Sequence, residues 1–322
     1  MKLENATPYP AYLFRTVIDE RRMFGSLGAR VTYDIVDGQL RPAADQWWKV
    51  MPRPWENDYG PMPSDELLYR GGVDVLVLGS ARAPKGRPTT RVDVEARIGP
   101  TWRGRVTVLG DRVWREGRDG PVAGPPAAFT EIPLTLKHAF GGKDEWDGLD
   151  VPFTDNPDGR GFFLEEERAL GQLLPNIVDP AQPIQRWDER PEPVGTQIVP
   201  QGFGPQLRRS VVFDEQTGML KEVRPTFYNN AFPQMIAPAA KPGDRVSVTG
   251  VAEAGPVAFQ LPPCDLLVRI GIGAHHYEFE PAIEQIGVEP DRMRAFVSYR
   301  YPFRYTLVPL EKRYCELVTR AR

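Results

Sequence analysis

The sequence predicts a mainly β protein, a large antiparallel, sandwich-like β domain with long Pro/Gly-rich loops and few short helices. Three observations predict it. Residues 91–98 alternate Val92, Val94, Ala96 and Ile98 with Arg91, Asp93, Glu95 and Arg97, the period-2 pattern of a half-buried strand. Strand-like segments recur about every ten residues towards the carboxy terminus, the spacing of a sandwich or barrel. Proline occurs 34 times and glycine 30 times in 322 residues, a density of backbone punctuation that excludes a coiled coil or helical solenoid.

In chain order, strands are expected at 12–18 and 30–36, the second closed by Val36-Asp37-Gly38, a tight-turn signal. Ser64 is placed to cap a short helical turn running to Tyr69. Residues 73–78, Val-Asp-Val-Leu-Val-Leu, read as a central strand covered on both faces, so Asp74 inside it needs a partner. Strands 91–98 and 103–109 follow, with Gly104 at a point of twist or close approach. Residues 110–244 then hold 17 of the 34 prolines and few periodic segments, the mark of irregular functional loops. One helix is expected there, 164–173, opened by Glu165, Glu166 and Glu167 and ended near Gly171. Strands resume at 245–251, 256–261, 266–272, 276–280, 282–288, 292–301 and 313–318. The expected organisation is a single domain over 1–322, with a β framework from about 1–109 and 245–322 carrying an irregular Pro-rich excursion over about 110–244.

Charge narrows the class of function. Lys plus Arg number 40 and Asp plus Glu 43, a formal charge of −3, too near neutral for whole-surface attraction to nucleic acid or anionic lipid. No apolar run approaches the ~18 residues of a membrane span and the amino terminus lacks a signal-peptide pattern. A cytoplasmic protein without membrane insertion is expected. Cys264 and Cys315 are the only cysteines, which excludes a disulfide scaffold and leaves one bridge open.

The arrangements that carry catalysis are missing. His275 and His276 are neighbours on a strand-like segment and point to opposite faces, so they do not chelate together. Gly25-Ser26-Leu27-Gly28 has the wrong spacing for a nucleophile elbow. Gly79 to Lys85 lacks the second glycine of a phosphate loop, and Gly271-Ile272-Gly273 carries His276 where a dinucleotide fingerprint needs its third glycine. Asp155 to Gly161 fails as a calcium loop because Pro157 and Arg160 replace a ligand and the turn glycine. No catalytic residue, cofactor or metal is expected. The competing reading is a carboxylate-dependent hydrolase or carbohydrate-active β-sandwich protein using Asp144, Glu145, Asp147 and Asp150; it requires two of these about 5–10 Å apart in a cleft, one with a raised pKa.

Two aromatic concentrations remain, Trp47, Trp48, Trp55 and Tyr59 in a proline-broken loop, and Tyr299, Tyr301, Phe303 and Tyr305 interleaved with Arg300 and Arg304. Core or edge packing with Arg stems over rings accounts for them, and a protein interface or nucleic-acid stacking are the alternatives.

An ordered series of motifs says more. Asp74-Val75-Leu76-Val77-Leu78-Gly79-Ser80-Ala81-Arg82-Ala83-Pro84 and Val108 to Trp114 come first. Ile132-Pro133-Leu134, Ala139-Phe140-Gly141-Gly142 and Asn156 to Phe162 follow, then Leu174-Pro175-Asn176-Ile177 with Asp179-Pro180. Gly202-Phe203-Gly204-Pro205, Phe227-Tyr228-Asn229-Asn230-Ala231 and Phe259-Gln260-Leu261-Pro262 complete it. The series resembles a bacterial family, domain-of-unknown-function family twenty-one sixty-nine; Leu207-Arg208-Arg209-Ser210 fits it only loosely. The resemblance implies a cytoplasmic adaptor or chaperone of the type VI secretion system that binds a secreted toxin effector and helps load it onto a PAAR-like tip protein and the VgrG spike. It transfers no catalytic residue. Arg112, Trp114, Arg160 and Phe162 are the candidate partner contacts, since Arg and aromatic residues dominate protein hot spots. The competing reading for two of them is structural, with Arg112 paired to Asp74 or Asp111 and Trp114 in the core.

Overall fold

The computed structural model describes residues 1–320. Strands dominate it and helix is confined to short pieces. The labelled elements are β1 (Leu3–Asn5), β2 (Ala11–Val17), β3 (Arg22–Val36), β4 (Gln39–Pro42), β5 (Val73–Val77), β6 (Arg91–Ile98), β7 (Trp102–Leu109), β8 (Lys143–Trp146), β9 (Leu149–Pro152), α1 (Glu166–Ala169) and β10 (Ile177–Val178). They continue with α2 (Gly204–Ser210), β11 (Val211–Phe213), β12 (Leu220–Val223), β13 (Ile236–Ala237), β14 (Arg245–Thr249), β15 (Val257–Gln260), β16 (Leu266–Ile272), β17 (His275–Phe279), β18 (Ala282–Glu289), β19 (Arg294–Thr306) and β20 (Arg313–Thr319). The remaining strands are ribbons of two or three residues.

A curled twelve-stranded sheet runs β10-β7-β6-β14-β15-β4-β3-β19-β18-β5-β13, with β2 beside β3, and a four-stranded sheet runs β1-β20-β16-β17. Both sheets feed one hydrophobic core, in which Leu27, Val31 and Tyr299 of the large sheet join Val268, Ile270 and Leu317 of the small one. Phe279 of β17 stacks on Tyr301 of β19 with centroids 4.4 Å apart, closing the rim between the sheets. Most pairings are antiparallel; β5 on β18 and β1 on β20 are parallel. The β3–β4 turn is the expected one, with Asp37 and Gly38 both at positive φ.

The central strands carry a buried polar row as well as apolar faces. Register places Arg30, Ser298, Gln285 and Asp74 side by side on β3, β19, β18 and β5. A bulge after Ile283 brings Glu284 into the same neighbourhood. Glu284 takes Arg70 at 2.6 Å and Arg300 at 2.7 Å, Asp65 takes Arg30 at 2.7 Å, and Asp74 takes Arg70 at 3.0 Å. Three guanidinium groups thus face three carboxylates in a neutral, buried set. This answers the need of Asp74 for a partner, and the cation is Arg70, not Arg112. Arg300 therefore belongs to this network and does not lie over the aromatic rings of its own strand.

Two helical expectations are corrected. The segment expected as helix 164–173 forms a single turn, Glu166–Ala169, because the next residues pair with the chain at Trp114: Gly171 donates to the Trp114 carbonyl at 2.8 Å and Trp114 donates to that of Gln172 at 3.0 Å. Residues 64–69 form no helix, since their carbonyls are claimed elsewhere. Arg300 donates to Asp65 O and Leu67 O, and Ser26 to Leu68 O. Ser64 still caps locally, accepting the Glu66 N–H at 3.0 Å. The helix α2 was not anticipated; Pro205 opens it, where a missing N–H costs nothing. Cys264 and Cys315 are free thiols, the second buried.

Candidate protein-binding cleft

The excursion builds a cleft on the edge of the large sheet. β10 pairs with β7 through Thr107–Val178 and Val108–Ile177, and Asn176 fixes its entry by donating to Leu109 O and Asp111, both at 2.9 Å. Beyond Val178 the chain turns at Asp179, whose carboxylate accepts the Ala181 N–H at 2.8 Å. Opposite stand Pro191, Pro193 and Pro233. The space between them is about 320 Å³, floored by Phe140, Ile177 and Ile184. That is the lower end of the range of ligand sites, room for a few side chains. Proline walls hold their shape without a partner, so little ordering entropy remains to be lost on binding.

The cleft's rim is set by charge. Glu192 takes Arg209 at 2.6 Å and Arg208 at 3.1 Å, and Arg208 reaches on to Asp155 at 2.6 Å. The hydrogen bond from Arg209, followed by that from Arg208, holds the Glu192 carboxyl below its ordinary range despite partial burial. The series of pairs ties α2 to the Pro191–Pro193 wall and to the loop at Asp155.

Two of the four residues expected to touch a partner, Trp114 and Phe162, lie beneath the floor of this cleft. Trp114 and Phe162 are buried in a second small core with Phe140, Leu174, Ala169 and Ile184. Phe162 meets Phe153 at 5.5 Å, Phe153 meets Phe140 at 5.0 Å, and the Arg190 guanidinium covers Phe162 at 4.8 Å. Phe140 and Ile184 belong to both the core and the cleft floor, so Trp114 and Phe162 support the floor from beneath. Arg160 is half-buried; it donates to the Lys137 carbonyl and contacts His138 Nδ1 at 2.9 Å, with Asp111 at 3.6 Å. Burial, then the nearby Arg160 charge, lowers the His138 pKa, while Asn176 pulls it back up. Arg112 donates to the Pro175 carbonyl at 3.2 Å, and burial lowers its pKa.

Sequence reasoning missed the lining itself. Pro191-Glu192-Pro193 was visible as part of the proline excess, but its distance in the chain from Ile177 and Pro233 concealed the cavity.

The acidic set stands elsewhere. Asp144, Glu145, Asp147 and Asp150 lie on the β8–β9 hairpin, where Glu145 and Asp150 are cross-strand neighbours and Asp147 occupies the turn at positive φ. Asp150 pairs with Lys143 at 2.5 Å and Asp144 with Arg168 at 2.9 Å. Backbone N–H groups of Leu164 and Glu145, and Arg168, lower the Asp144 pKa against partial burial. Glu145, Asp147 and Asp150 are exposed on this hairpin, while Asp144 is largely buried against Arg168 and the Leu164 N–H. The Asp155 loop is knitted internally, with Asn156 donating to Leu136 O and Phe140 O, both at 2.9 Å. No cluster of three metal-ligating side chains occurs among the described residues, and none of their helices is long and apolar enough to cross a membrane.

The family described as an uncharacterized protein conserved in bacteria, DUF2169, matches residues 20–300. The chain belongs to this family. Its DUF2169 match spans the framework strands from β3 to β18, the cleft and the second core. No curated protein and no solved structure matches the chain.

Proposed function

We propose that the protein is a cytoplasmic adaptor or chaperone that binds a type VI secretion effector and helps load it onto a PAAR-like tip protein and the VgrG spike, without catalysis of its own. The observation that carries the reading is the proline-walled cleft on the sheet edge, preshaped, with Phe140, Ile177 and Ile184 in its floor, Gln182 and Gln234 among its polar lining, and locked ion pairs at its rim. An adaptor needs a rigid scaffold and an irregular surface that fits another polypeptide, and the excursion supplies the second on the framework of the first. The motif series supports the same reading, because Phe140, Ile177 and Asp179 line the cleft within it.

Co-expression with the neighbouring effector and PAAR-like proteins tests this. Both are expected to co-purify with the wild type, and Val194→Arg, which fills the cleft from its half-buried wall, is expected to release the effector while the melting temperature is kept. Retention of neither protein by the wild type, with secretion unaffected by gene deletion, overturns it.

A further inference from the structure

Strand β17 ends the small sheet with one side open. Its only strand neighbour is β16, with a register that runs without a bulge from Phe279 opposite Val268 to His275 opposite Ile272. No other main-chain bond reaches 275–279 among the described residues, so the N–H and C=O groups on its far side are free to pair. Residues 275–278 are exposed, Tyr277 by 46%. Proteins guard such edges by shortness, by a cation or proline in the strand, or by a bulge. The other edges are guarded: β10 and β13 are two residues long and β1 three, and β2 carries Arg15. The five residues of β17 include no lysine, arginine or proline.

The order of those residues indicates what pairs with them. A two-fold axis normal to a sheet keeps each face on its own side, so residues brought opposite each other must already share a face. The antiparallel register that uses all five residues is centred on Tyr277: Tyr277 meets Tyr277 of the other copy, His276 meets Glu278, and His275 meets Phe279. Charge is complementary in this register. Glu278 pairs with Arg269 at 2.6 Å, but Arg269 also has Glu316 of β20 opposite it, so one cation stands between two acids and the row ends in excess negative charge. The Tyr314 hydroxyl lies 2.9 Å from His276 Nδ1, which leaves Nε2 for the other copy's Glu278. On the opposite face the rings of His275, Tyr277 and Phe279 already stand in line, with centroids 6.3 and 6.1 Å apart, and meet aromatic counterparts, a stabilising cross-strand arrangement.

We propose that β17 pairs edge to edge and antiparallel with β17 of a second copy of this chain, about a two-fold axis at Tyr277, joining the two small sheets into one. Such a contact closes on itself and satisfies both copies at once. It shares no residue with the cleft and does not depend on the adaptor reading.

Light scattering and amide exchange on the full-length protein are the test. The wild type is expected to dimerise with a mass that falls on dilution, and amide exchange within 275–279 to slow as concentration rises. Tyr277→Lys and Tyr277→Glu each set like charges opposite one another on the axis, so each is expected to be monomeric with unchanged far-UV circular dichroism. An equimolar mixture of the two is expected to pair, because the introduced charges then have opposite sign. His276→Glu is expected to weaken dimerisation roughly tenfold at low salt by facing an acid with an acid. A wild type that stays monomeric at the highest soluble concentration overturns the proposal, as does a dimer that survives both Tyr277 changes or a mixture that stays monomeric. If the wild type is monomeric and Tyr277→Lys loses a co-expressed effector, the edge serves a different polypeptide and the dimer is again excluded, with the adaptor reading intact.

Discussion

The backbone N–H of Asn230 donates to Asp74 Oδ2 at 2.9 Å, joining residues 156 positions apart in the chain. The Asn229 side chain adds a second bond to the same carboxylate at 2.7 Å, and Arg70 bridges Asp74, Glu284 and Asn230. Asp74 is thus the point at which the end of the excursion is fastened to the central sheet. The carboxylate is fully buried, so its partners and not water compensate its charge.

Removing one member of such a set leaves the others uncompensated. Asp74→Ala is expected to cost about 3–5 kcal/mol, the scale for breaking a buried pair by truncating one partner. Asn229→Ala removes a neutral donor and is expected to cost less, about 1–3 kcal/mol. Urea unfolding followed by tryptophan fluorescence measures both. Equal, negligible effects would mean that the fastening lies elsewhere.

Glu284 makes the same network pH-dependent. Burial opposes its ionisation, but Arg300 and Arg70 more than offset this and hold its pKa at about 2. A folded-state pKa below the unfolded value contributes stability that is complete above the unfolded pKa of about 4.3 and is lost as pH falls through the folded one. The expected loss therefore falls between about pH 4.3 and pH 2 and is of order 3 kcal/mol. Thermal melts across that range should show the slope in the wild type and a shallower one in Glu284→Gln, which starts from a lower melting temperature at neutral pH.

Gly287 stands directly opposite Phe296 in the β18–β19 ladder, and the ring lies over it. A Cβ there would come within 2.0 Å of Phe296 Cε1. The open position lets Phe296 reach Trp48, with centroids 4.2 Å apart, while the Trp48 indole donates to buried Glu289 at 2.7 Å. Gly287→Ala is expected to cost about 1–3 kcal/mol through overpacking, with a change in near-UV circular dichroism as the Trp48 environment shifts. An unchanged near-UV spectrum would refute the account.

The framework was legible because its signals are local. Alternation in residues 91–98 and the regular strand spacing that includes 266–272 mark strands that form over those same spans, and Asp37-Gly38 specifies its turn within two residues. Asp74 could be seen to need a partner, but Arg70, Asn229 and Glu284 could not be chosen by pattern, since three-dimensional register assigns them. The helix expected at 164–173 failed for a related reason: its Glu-rich start is a genuine local preference, overridden once backbone groups at Gly171 and Gln172 pair with Trp114. The cleft was least legible because three separate loops form its walls.

Phe162 and Trp114 separate a supporting role from a contacting one. Both rings are enclosed in the second core, and truncating such a side chain costs about 3–5 kcal/mol through lost transfer energy and the cavity left behind. Because Phe140 rests on Phe153 and Phe153 on Phe162, the loss travels to the cleft floor. Phe162→Ala is therefore expected to loosen the excursion first, seen as faster amide exchange at Phe140 and Ile184, while strands β3 and β19 remain protected. Phe162→Leu keeps most of the volume and should recover much of that protection. If the rings instead met a partner directly, Phe162→Leu would lose co-purified effector as fully as Phe162→Ala while amide exchange stayed unchanged, and the supporting role would be refuted.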